Sequence, residues 1–172
     1  MKKLFSLVAI AAFTLAAFNV NAQDKSKRPS PPAKVEVTTT KGVKIIIDYS
    51  QPSVKGRQIG KEIAPFGKVW RTGANEATVF EIDKDVIINN KKLKAGKYGF
   101  YTIPGEKEWV IILNNKSNLW GDDGYNQADD ALRLVSKPGK STAFSEKMRF
   151  TLNVNGKVAL IWGDTELNFK VD

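Results

Sequence analysis

The 172-residue chain carries 27 Lys and Arg against 18 Asp and Glu, a net charge of +9, and has neither histidine nor cysteine. Without imidazole or thiolate there is no Ser-His-Asp triad, Cys-His dyad, His-ligated zinc, haem or disulfide, so catalysis would fall to carboxylates, Lys, Tyr or Ser/Thr. No cofactor is implied.

Residues 1–22 have the three parts of a secretory signal. Lys2 and Lys3 give a basic start, residues 4–18 are apolar, and Val20-Asn21-Ala22 places small residues at the −3 and −1 positions of a cleavage site. The apolar run is shorter than the ~20 residues a spanning helix needs. No cysteine follows it, so a lipid-modified N-terminus is not expected. Cleavage after Ala22 would leave residues 23–172, a single domain's worth of chain, with 25 basic and 18 acidic side chains. The expected location is the periplasm or the exterior, with no transmembrane segment after cleavage. The positive balance points to anionic glycans, lipid head groups or acidic peptides and away from nucleic acid.

Residues 23–33 are charged and proline-rich with little to bury, and predict a disordered linker before one domain over residues 34–172. Strands are predicted at residues 34–40, 43–49, 78–83, 86–89 and 98–103, with Leu93 beside a turn and residues 108–113 apolar on both faces, as in a central strand. A short helix is predicted at residues 126–132. Near the C-terminus Met148, Phe150, Leu152 and Val154 alternate with polar residues. Asn155-Gly156 then signals a two-residue hairpin, Gly163-Asp164 a second turn, and Leu167, Phe169 and Val171 a last strand. The expectation there is a three-stranded meander. Some ten short strands between turn signals give an all-β class, an antiparallel β-sandwich or jelly-roll-like barrel.

Residues 49–78 form a long excursion with poor periodicity, rich in glycine and cations. Its densest part is KVWRTGANEAT, residues 68–78. Arg57 and Arg71 can present planar forks to a carboxylate or phosphate, Trp70 can stack on a sugar, Asn75 can read hydroxyls, and Glu76 can act as acid, base or acceptor. The same residues suit a structural clasp, with Trp70 a core plug and Arg71 paired to Glu76. A second loop, residues 118–130, adds Trp120 as an aromatic partner. Its aspartates do not follow the helix-loop-helix calcium spacing. Asp122, Asp123 or Asp130 with Glu76 is a carboxylate pair of the kind glycoside hydrolysis uses.

YSQPSVKGRQIG, FGKVWRTGANEAT, LKAGKYGFYTIPGEKEWVIILN and NLWGDDGY resemble domain-of-unknown-function family 2911, uncharacterised exported bacterial β proteins. The resemblance runs from about Val35 to Asp172, and WRTGANEAT is its most specific block. It implies export and an all-β fold, and brings no activity, cofactor or catalytic residue. The functional expectation is a binding module for a polar or anionic carbohydrate or cell-envelope component, through Arg57, Trp70, Arg71, Asn75, Glu76 and Trp120. The alternatives are a carboxylate-based glycoside hydrolase using Glu76, and a structural or assembly protein without a small ligand.

Overall fold

The computed structural model describes residues 24–172. The expected signal peptide, residues 1–22, lies outside them.

Alternation of apolar and polar side chains builds most of the strands. In β2, Lys44–Ser50, the isoleucines at 45 and 47 and Tyr49 are buried on one face while Lys44 and Asp48 face water. β1, Pro32–Thr38, pairs with β2; β3, Thr78–Ile82, takes the other side of β2; and β6, Gly96–Ile103, follows β3. β4, Val86–Ile88, and β5, Lys91–Leu93, form a small hairpin between them in sequence. β7, Trp109–Asn114, and β8, Asp130–Ser136, complete a six-stranded antiparallel sheet of order β1-β2-β3-β6-β7-β8.

The second layer is a hairpin of two long strands, β9 at Gly139–Leu152 and β10 at Lys157–Lys170. Phe80 and Phe100 of the large sheet meet its aromatics: the Phe100 ring lies 5.4 Å from Phe150 and 5.9 Å from Phe169, and Phe80 lies 6.1 Å from Phe169. Tyr49 stands edge-on to Phe150 at 5.0 Å, and its hydroxyl accepts a hydrogen bond from the Phe150 backbone. The domain is all-β and sandwich-like. Its large sheet is open, with β1 and β8 as edges, and it does not close into a barrel. Among the described residues no helix is long and apolar enough to cross a membrane.

Three local expectations are corrected. The C-terminal meander is a two-stranded hairpin, because Gly163 does not reverse the chain. It sits at φ +58° where the β9–β10 register shifts, so it bends one continuous strand. The Asn155-Gly156 turn is present but longer than two residues. Gly156 N–H donates to Asn153 O and the Asn153 N–H to Lys157 O, which leaves Val154 in the loop and 57% exposed. The predicted helix at 126–132 shrinks to a 3-10 turn, Gln127–Asp129, capped by the Asn126 side chain, and then becomes β8, whose Leu132 and Leu134 enter the core.

Where a disordered linker is expected, residues 24–31 lie against the sheet. Asp24 caps a 3-10 turn at Lys25–Lys27, and the Pro31 carbonyl accepts from Gln51 N–H. The arm has little to bury, so polar partners hold it.

Candidate functional site

The 68–78 block divides into two halves. Trp70 exchanges both backbone hydrogen bonds with Thr102 of β6, at 2.8 and 2.9 Å, which turns its indole inward. There it is 9% exposed, stacked on Trp162 at 5.2 Å and edge-on to Trp109 at 6.4 Å, with Nε1–H donating to Gly73 O. The buried Thr72 hydroxyl bonds the Trp70 carbonyl and the Thr102 hydroxyl. The Thr78 hydroxyl donates to Thr72 O at 2.7 Å. Thr72 is β-branched yet held at φ +51°, a conformation that persists only where its surroundings over-determine it. This half is a clasp.

The second half turns outward. Asn75, at φ +61°, donates from Nδ2 to Ser30 O and the Ser50 hydroxyl, while its backbone carbonyl accepts from Gly121 N–H. Ala77 N–H bonds Leu119 O, and Glu76 bridges to Trp120, so the 118–121 loop is zipped to the block. Glu76 is met by the N-terminal arm: Lys25 Nζ lies 2.9 Å from one oxygen and Arg28 2.8 Å from the other. The Arg28 guanidinium also lies 6.0 Å from the Trp120 ring centroid. Lys25, Arg28, Asp48, Tyr49, Ser50, Glu76 and Val79 are among the residues lining a cleft of about 280 Å³ between the arm and strands β1–β3. Trp120 stands beside it, 58% exposed.

Burial pushes the Glu76 carboxyl up, but hydrogen bonds from Lys25, its own backbone and Arg28 outweigh that and hold it below the usual range. A carboxyl held ionised this way is a poor proton donor at neutral pH. Because its folded pKa is depressed, the contacts it makes are present above the ordinary carboxylate range and lost as pH falls through the lowered value. Glu76→Gln reproduces the uncharged state at neutral pH. It is expected to free the arm, seen as several-fold faster trypsin cleavage after Lys25 and Lys27 with the melting temperature little changed. An unchanged cleavage rate would show that Glu76 does not hold the arm.

Of the sequence-predicted residues, Asn75, Glu76 and Trp120 come together. Trp70 is enclosed and cannot stack on a ligand. Arg71 does not pair with Glu76; it reaches Asp122 at 3.3 Å, and its Nε is buried without a partner. Arg57 folds onto its own loop, donating from Nε to Val54 O and from NH2 to Ser53 O. Asp130 is committed elsewhere, accepting from Tyr125 OH and Asn114 Nδ2, both at 2.8 Å. Burial first, then that bond to Asp130, pushes the Tyr125 phenol up to about 12. Among the described residues no three carboxylates gather as a metal ligand set. Lys25, Arg28, Asp48 and Ser50 escape the sequence reading: the first two sit in a segment without apolar residues, the others in a strand. Only the alternation of β2, which turns Asp48 outward, hinted at any of them.

The sequence profile of one family, described as Protein of unknown function (DUF2911), matches residues 30–171. No curated protein and no solved structure matches the chain.

Proposed function

We propose, for a chain that belongs to the DUF2911 family, that it works by binding, and that a polar carbohydrate of the cell envelope occupies the cleft under the N-terminal arm. One observation carries this reading. A largely exposed indole, Trp120, stands beside a cleft whose lining includes the carboxylates of Asp48 and Glu76, a platform-and-acceptor arrangement suited to a sugar ring. The lining is balanced, with Lys25 and Arg28 against Asp48 and Glu76, and neither Arg57 nor Arg71 lines it. An uncharged polyol fits that balance better than the anionic glycan suggested by net charge. The three-part N-terminus supports export to the periplasm or beyond, where such a polymer is met.

The test is retention on an array of envelope polysaccharides. Wild type is expected to bind a neutral polymer, and Trp120→Ala, which removes an exposed side chain, to weaken it about tenfold while melting normally. No retention above background, or equal retention by Trp120→Ala, sinks the proposal.

A further inference from the structure

The 53–68 loop and the middle of β9 make a second surface, separate from the cleft. Phe66 and Phe144 are 38% and 58% exposed, although the chain's other core-forming phenylalanines at 80, 100, 150 and 169 are buried. Both are seated on glycine. A Cβ at Gly60 would lie 2.2 Å from the Phe66 ring, so that ring rests on bare backbone. A Cβ at Gly163 would meet Ile59 at 3.1 Å and Phe144 at 3.8 Å. Phe66 and Phe144 are thus linked through Gly60, Ile59 and Gly163.

The backbone beneath them is tied down. Gly60 N–H donates to Ile63 O, Phe66 N–H to Gly60 O, Gly67 N–H to Pro104 O, and Val54 N–H to Glu146 O.

The same loop carries Lys55, Arg57, Lys61 and Lys68 against one acid, Glu62. The ion pairs among the described residues are formed by other cations. Two nearby carboxylates are turned to backbone, Glu62 accepting from Gln58 N–H and Glu146 from Lys55 N–H, while Asp164 beside Gly163 and Glu106 beyond Pro104 are exposed. The Arg57 fork is engaged by loop carbonyls, so the free cations are lysines, compact charges with no bidentate geometry to impose.

We propose that this surface docks the protein on an anionic lipid bilayer. The Phe66 and Phe144 rings enter the boundary between head groups and acyl chains, and Lys55, Lys61 and Lys68 face lipid phosphates. Exposed aromatic rings beside a loop that carries unpaired lysines match a surface that is apolar below and negatively charged above. A soluble polyanion would use the lysines and gain nothing from the phenylalanines.

Flotation of the full chain with vesicles tests this. Phosphatidylglycerol–phosphatidylcholine vesicles at about 50 mM salt are expected to carry more of the protein than phosphatidylcholine alone. The N-terminal apolar run is common to all variants, so only the effect of patch substitutions counts. Phe66→Ser/Phe144→Ser and, separately, Lys61→Glu/Lys68→Glu are each expected to weaken binding about tenfold, with melting temperatures near wild type. The second pair replaces exposed side chains and keeps the test open if the first perturbs folding. The proposal is overturned by absence from phosphatidylglycerol vesicles. It is equally overturned if a folded phenylalanine variant binds as wild type does, which marks adsorption by charge alone.

Discussion

Replacing Trp70 by alanine is expected to destabilise the fold by about 3–5 kcal/mol, the cost of deleting a large aromatic from a packed core. Trp70 joins the two layers: its backbone pairs with Thr102 of β6, and its indole stacks on Trp162 of β10 and meets Trp109 of β7. Removing it opens a cavity between strands that cannot close without moving three backbones. Trp70→Phe keeps an aromatic in the stack but loses the bond from Nε1 to Gly73 O, and about 1–2 kcal/mol is expected for that polar loss and the smaller ring. Trp162 supplies the control, because its Nε1 is buried without a partner. Trp162→Phe therefore forfeits packing alone and should cost less than Trp70→Phe. The next residue along behaves oppositely. Arg71 makes one ion pair, at 3.3 Å, with side chains 31% and 48% exposed, and Arg71→Ala is expected to cost under about 1 kcal/mol. Urea unfolding of the four variants decides the matter. A Trp70→Ala loss below that of Arg71→Ala would remove the clasp from the account.

The contrast between residues 70 and 71 shows what the sequence could carry. Period-2 alternation announces which side of a strand is buried, so β2 and β3 are legible, and the both-sided apolar run of β7 marks a strand covered on two faces. β8 is hidden because its first residue, Asp130, follows an acidic loop whose composition suggests a helix start. Its two leucines speak only once β7 is beside them. Composition misleads at the arm. Lys25 and Arg28 have nothing to bury, yet Glu76, 48 residues beyond Arg28, fixes them, and no local pattern encodes a partner so distant. Glycines mislead in the other direction. At Gly163 the residue type signals a turn, whereas the packing of β9 against β10 keeps the strand running and converts the same backbone freedom into a bulge. Asn75, Glu76 and Trp120 were readable as chemistry. Their meeting depends on the bonds from Gly121 and Ala77 N–H that zip two loops together.

Gly156→Ala is expected to cost about 2–5 kcal/mol, for two separable reasons. The residue closes the β9–β10 turn at φ +85°, where an L side chain costs about 1–2 kcal/mol. The added methyl would also lie 2.0 Å from the Val171 carbonyl oxygen, a backbone atom that cannot rotate aside. Val171 is fixed in turn: its N–H donates to Gly156 O, and Asp172 and Ile87 exchange hydrogen bonds at 2.8 and 3.0 Å. Relieving the clash therefore means pulling the last residues off both the turn and the β4 strand. Gly56 isolates the first reason. It sits at φ +70°, and a methyl added there would meet nothing within 4 Å, so Gly56→Ala should show the conformational cost alone, about 1–2 kcal/mol. The difference between the two variants in denaturant unfolding measures the clash. Amide exchange should localise it, with faster exchange at Val171 and Ile87 in Gly156→Ala and not in Gly56→Ala. Equal losses in the two variants would mean that the C-terminal residues yield freely, and that the turn is held by its own φ and not by the strand packed over it.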